Sequence, residues 1–222
     1  MRTQGRNKPK PPLERHRDSV GTHARILKAA GQVFAEGGLA GARTEAIAAA
    51  AGVNKALLYY YFKSKDGLYQ AVLDDHLKEF SRRAVEILSA GDSPGRTLLR
   101  YVSYHFDFIG ARPYYPSLFQ RLMMAGGLAA QRMVQEHMAP VSKRLLEVIE
   151  RGMRAGEFRV FDSRHTAISL VALTVFYFSA APLVRRLSGK DPFQRANRAR
   201  RKEEVLKFIR YALFRDPEAV VA

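Results

Sequence analysis

Apolar positions along the chain recur with helical spacing almost throughout. Ile26, Leu27, Ala30, Val33 and Phe34 stand at i, i+1, i+4, i+7 and i+8, which puts them on one face of a helix. Gly37-Gly38 ends that run. Thr44 reads as the N-cap of a second short helix, Glu45 to Ala51, although the capping-box partner is missing because position 47 is Ile47. Gly52-Val53 makes a tight break, and Asn54 can cap a third short helix that ends at Tyr61 or Phe62. A long helix is predicted from Ser64, carrying Leu68, Val72, Leu73, Leu77, Phe80, Ala84 and Leu88. Further helices are predicted over 94–110, 114–125, 128–155, 163–187 and 193–214, separated by Gly110 to Pro113, Gly126-Gly127, Gly156 and Gly189 to Pro192. No stretch alternates as a strand for more than a few residues. The predicted fold class is all-α, with about nine helices.

Residues 44–62 have the pattern of a helix-turn-helix. Ala48 supplies the small residue where two helices cross closely, and Gly52 the sharp turn four positions later. Ile47, Val53, Leu58 and Phe62 supply the apolar contacts that pin the second helix on the first. Such a unit can present its second helix to a major groove. Tyr59, Tyr60 and Tyr61 are successive on that helix, about 100° apart, so they cannot share one core face. Tyr61 is expected to pack, with Tyr59 and Tyr60 pointing outward.

Charge sharpens this reading. The 222 residues carry 37 lysines and arginines against 21 carboxylates, a surplus of +16. The first 65 residues hold half of it. A surplus of this size favours a polyanionic partner, nucleic acid or an anionic membrane surface. Residues 1–18 are basic and interrupted by Pro9, Pro11 and Pro12, and are expected to form a flexible basic arm. No apolar run precedes residue 18, so no secretory signal is expected. Absent cysteines exclude disulfides, thiolate zinc sites and cysteine nucleophiles.

The segment GVNKALLYYYFKSKDGLYQAVL is similar to the recognition helix and following linker of TetR-family transcriptional regulators. The preceding TEAIAAAAG and ILKAAGQVFAEGG segments fit the same family. The resemblance is sharp over residues 21–75 and architectural beyond. It implies a DNA-binding domain over 19–65 and an effector-binding and dimerisation domain over 66–222. Carried over residue by residue, it gives Thr44 a cap and phosphate role, and Lys55, Tyr60 and Lys65 backbone contacts. It has Tyr59 reach backbone or base, and it sets Asn54, Ala56 and Leu57 against base edges. Asn54 could pair with adenine, and Ala56 or Leu57 could touch a thymine methyl. The partners implied are double-stranded DNA with a palindromic operator, an unidentified small effector of apolar or aromatic character, and a second copy of the chain. That copy would dock through helices near 163–187 and 193–214. Members mostly repress, and the expected location is cytoplasmic.

Aromatic, methionine and polar side chains in the larger domain mark candidate effector contacts: His105, Arg112, Phe119, Gln120, Met123, His137, Tyr177 and Phe178. From His165 to Val184 no residue is charged, which is long enough to span a bilayer. Thr166, Ser169, Thr174, Ser179 and Pro182 within it favour a buried helix instead, and no membrane partner is expected. Neither a metal nor another cofactor is expected, since no histidine pair has i, i+4 spacing and HExxH is absent. No P-loop, GxGxxG or GxSxG occurs, so the chain is not expected to be an enzyme. Two alternatives stay open on sequence grounds: a basic helical protein on an anionic membrane or acting as scaffold, and a small-molecule enzyme with a vestigial helix-turn-helix.

Overall fold

A computed structural model describes residues 12–218. The chain divides into two compact units between Val72 and Leu73. This falls seven residues beyond the expected boundary at 65/66, farther along the same helix.

The first unit holds α1 (Pro12–Gly41), α2 (Thr44–Ala51), α3 (Lys55–Phe62) and the opening turns of α4 (Lys65–Leu88). Ile26, Ala30 and Phe34 of α1 are buried, as are Ile47 and Ala51 of α2, Leu58 and Phe62 of α3, and Leu68 and Tyr69 of α4. Phe34 meets Tyr69 edge-on at 5.4 Å. The apolar face read from the sequence is therefore the one that packs. The helical run of α1 is interrupted at Gly38, whose φ of 63° departs from the helix where the sequence expects a stop. The expected arm over 1–18 is corrected in part. Residues 1–11 lie outside the described residues, while 12–18 belong to α1, since a proline needs no N–H partner at a helix start.

Two breaks in the second unit were not anticipated. The helix expected over 128–155 is α7 (Gly127–Met133), a π-turn (Val134–Met138) and α8 (Ala139–Arg154). Ala139 N–H donates to the Val134 carbonyl, five residues back, and Pro140 follows with no N–H to restore the normal ladder. The helix expected over 163–187 is α9 (Ser163–Ser179) and α10 (Ala181–Ser188), bent by 74°. Pro182 near the start of α10 cannot donate to the preceding turn. No single helix among the described residues is long and apolar enough to cross a membrane. α5 (Pro94–Gly110) is the central element and packs on α8, α9 and α11 (Arg195–Leu213), with α6 (Tyr115–Ala125) on α9. Phe106 of α5 meets Phe178 of α9 at 4.9 Å. A bridge between Phe158 and Phe214 ties the segment after α8 to the end of α11. The described residues are thus all-α, with eleven α-helices.

Candidate functional site

The helix-turn-helix is assembled by backbone chemistry. Gly52 ends α2 in the left-handed region (φ 65°, ψ 39°), which only glycine enters without strain. Val53 N–H then donates to the Ala48 carbonyl at 3.0 Å. Asn54 opens α3 as the sequence suggested: its Oδ1 accepts from Leu57 N–H at 2.7 Å. Thr44 differs from expectation. Ile47 N–H bonds to the Arg43 carbonyl, so Arg43 is the N-cap and Thr44 the first helical residue. Thr44 is buried, and its hydroxyl donates to Glu45 Oε2 at 3.4 Å.

α3 buries Leu58 and Phe62 and leaves its opposite side bare. Tyr60 is 69% exposed, Tyr59 is 38% exposed, and Ala56 is exposed beside them. Tyr61 is half-buried and touches the rings of His23 and Phe62. The three tyrosines thus divide as expected. Lysines border this face. Lys55 pairs with Glu45 and lies 5.8 Å from the Tyr59 ring centre, while Lys63 lies 5.7 Å from that of Tyr60. The Lys55 ammonium holds the Glu45 carboxyl below the usual carboxylate range. Lys65 is turned toward the α1–α2 connection, its Nζ donating to the Ala42 carbonyl at 3.3 Å. The bare face therefore gathers Ala56, Tyr59, Tyr60 and Lys55. Leu57 is half-buried, Thr44 is inside, and Lys65 and the Asn54 oxygen are committed to backbone groups.

The connection from α3 to α4 is a γ-turn. Lys63 has φ 64° and ψ −43°, and Ser64 N–H donates to the Phe62 carbonyl at 2.7 Å. Ser64 caps α4 by accepting from Gly67 N–H at 2.9 Å. This tight turn brings the Phe62 carbonyl so near that a Cβ on Gly67 would sit 2.3 Å from its oxygen. Glycine is thus required at 67 by close approach, a requirement that the helical periodicity of α4 does not reveal.

The second unit contains a cavity of about 460 Å³. Phe80 of α4 and Tyr101 and His105 of α5 form one wall. Met138, Val141, Ser142, Leu145 and Leu146 form a second, and Arg164, Ala167, Ile168 and Val171 of α9 a third. Of the eight effector candidates, His105 is the one in this lining. Arg112 instead pairs with Glu79 at 2.6 Å and covers the Phe108 ring at 4.0 Å. Phe119 stacks on Tyr115, and Phe178 packs between Phe106 and Phe193. Tyr177 lies under the Arg201 guanidinium. Gln120 borders a shallow surface hollow with Ser117, Arg121 and Met124, and Met123 is half-buried on the same helix. His137 Nε2 meets Asp74 Oδ1 at 3.0 Å. With Glu136 these two bring three potential ligand atoms within 4.8 Å of one another.

A second apolar feature lies outside. Ala172, Leu173 and Phe176 of α9 and Phe208 of α11 line a hollow on the surface, with Phe176 62% and Phe208 59% exposed. Helix α9 thus faces the cavity on one side and this hollow on another. That explains why it carries no charge between His165 and Ser179.

The profile for bacterial regulatory proteins of the tetR family matches residues 26–72, and that for the tetracyclin repressor-like C-terminal domain matches 94–209. The chain is 28% identical over 163 residues to the HTH-type transcriptional repressor NicS of Pseudomonas putida, covering 71% of this chain and 76% of that one. It is 28% identical over 164 residues to the HTH-type transcriptional regulator RutR of Escherichia coli K12, covering 74% and 77%. The ketosteroid transcriptional regulator KstR2 of Mycobacterium tuberculosis shares the fold, with a TM-score of 0.70 at 19% identity over 87% of this chain and 95% of that one.

Proposed function

This chain belongs to the TetR family of bacterial regulatory proteins, and from that membership we propose a homodimeric repressor that binds a palindromic operator and is released by a small apolar or aromatic molecule. The observation that carries the reading is the bare outer face of α3. A helix that buries Leu58 and Phe62 yet leaves Ala56 and Tyr60 in solvent is shaped to lie in a major groove. Ala56 and Leu57 would meet base edges through apolar contact. Tyr59, Tyr60 and Lys55 would bond to phosphates and fix register without reading sequence. Lys55 would exchange Glu45 for a phosphate, and Asn54 would keep its oxygen on the cap and offer its Nδ2 to the DNA backbone. Thr44 and Lys65 would act by holding the ends of α2 and the α1–α2 turn.

The dimer would form on the exposed apolar surface of α9, α10 and α11, where Phe176, Leu183, Leu187, Phe208 and Tyr211 stand in solvent. A two-fold pairing of such a patch buries it on both copies at once. The effector would enter the cavity that His105 borders. The test is selection of bound duplexes from sheared host DNA at physiological salt. A shared, dyad-symmetric sequence is expected. Binding without a shared sequence, lost steeply as salt rises, would mean that charge alone attracts the DNA.

A further inference from the structure

His105 is held in one tautomer, and that constrains what the cavity accepts. Its Nδ1 lies 2.9 Å from Thr174 Oγ1, and the same hydroxyl lies 2.8 Å from the Val171 carbonyl. A carbonyl oxygen can only accept, so the single hydroxyl proton of Thr174 goes to Val171. The second short contact then needs a proton from the imidazole, and Nδ1 must carry it. Nε2 is left as a bare acceptor with no hydrogen-bond partner among the described residues. Burial keeps this ring neutral, pulling its pKa down to about 4. Phe80 and Tyr101, at 5.1 and 5.9 Å, fix the ring plane.

The other polar end of the cavity is a cation. Arg164 lines it from the exposed start of α9, where its charge also helps to hold the neighbouring Asp162 carboxyl low. Arg164, Ala167, Ile168 and Val171 are spaced i, i+3, i+4 and i+7, so the cavity runs along one face of α9. Ten residues of helix separate Arg164 from Thr174, about 15 Å along α9, of which the long Arg164 side chain can take up several ångströms. Between the ends the walls are aliphatic and aromatic, with Val141 and Leu145 facing Phe80 and Tyr101.

We propose that the effector is an amphipathic organic acid with a hydroxyl or N–H at the end opposite its carboxylate, the donor meeting His105 Nε2 and the carboxylate meeting Arg164 across an apolar body about 10 Å long. This rests on the reading of the second unit as an effector domain. An ester, ether or ketone at the inner end would set one acceptor against another and is disfavoured. A carboxylate there would bring a charge into a buried site with no cation.

A rigid matched set of probes tests it by calorimetry on the full chain: para,para′-hydroxybiphenylcarboxylate, its methyl ether, biphenylcarboxylate, and hydroxybiphenyl without the acid. The hydroxy acid is expected to bind about tenfold more tightly than each of the other three, the usual cost of one unmade bond to a buried or charged partner. His105→Phe should erase the advantage over the ether and over biphenylcarboxylate but keep the advantage of the acid. Arg164→Gln should do the reverse. Equal binding of the hydroxy acid and its ether, or of acid and non-acid, would overturn the proposal. If all four then still dislodge the protein from its DNA, the effector reading survives and the ligand class alone is wrong. If none binds while DNA binding persists, both fall.

Discussion

At the residue scale, the informative positions are those whose polar atoms are already spent. Asn54 is the clearest. A bidentate pair with adenine needs both Nδ2 and Oδ1 turned to the base edge, yet Oδ1 is oriented along α3 by the cap bond from Leu57 N–H at 2.7 Å and has only its second lone pair to offer. Replacing Asn54 with Ala should therefore cost stability of about 1 kcal/mol through the lost cap, whereas Asn54→Ser should keep it. Asn54→Ser should also leave the selected DNA sequence unchanged. A changed base in both half-sites would return the residue to base reading. His105 gives a second test at this scale. Its pKa is driven to about 4 by burial, from an ordinary 6.5. The unfolded chain takes up its proton near pH 6.5, the native chain only near pH 4. Between those values the unfolded state binds more protons, so stability falls as pH falls across the window. His76 is lowered by burial in the same direction and adds to the trend. Urea unfolding at several pH values should show a shallower loss below pH 6.5 in His105→Gln than in the parent chain, and parallel curves would contradict the burial argument.

At the scale of elements, the segment boundaries divide into those that glycine announces and those that proline hides. Gly52 and Asn54 marked the turn before α3 correctly, because the cap and the left-handed turn are local chemistry. Pro140 and Pro182 sit inside apolar, helix-compatible runs, so the sequence read through them as single helices. The ladder shift at Val134–Met138 and the 74° bend after α9 follow from the missing N–H groups, not from any change in hydrophobic pattern. Thr44 differs from the expected cap for a subtler reason. The capping residue type stands one position inside a helix whose first acceptor is the Arg43 carbonyl. The γ-turn at Lys63 carries its own prediction. Gly67→Ala forces a Cβ against the Phe62 carbonyl, and thermal melts should show a loss of about 1–3 kcal/mol. An unchanged melting temperature would mean that the turn relaxes freely.

Whole-molecule properties were the least legible. An aromatic or methionine side chain serves a core and a cavity equally well, and only the rotation of each helix decides between them. Phe178 turned inward against Phe106, whereas aliphatic Val141 and Leu145 came to border the cavity. The uncharged stretch after His165 is split by the 74° bend into two helices, neither alone long and apolar enough to cross a membrane, and its two apolar sides could be separated only in three dimensions. The outer side predicts assembly. Phe208→Glu should convert a dimer to a monomer in sedimentation equilibrium. It should also weaken operator binding on the order of a hundredfold, because linked half-site binding is lost. A dimer that survives the charge would move the interface elsewhere.

The claim on which the rest depends is that the outer face of α3 reads base edges. The most direct measurement is duplex selection with Ala56→Gln beside the parent chain, since this side chain is exposed and its replacement leaves the buried face of α3 intact. The account predicts that the Gln variant enriches a different base, such as adenine, at one position and at its dyad mate in the other half-site. Enrichment of the identical sequence by both proteins would contradict it.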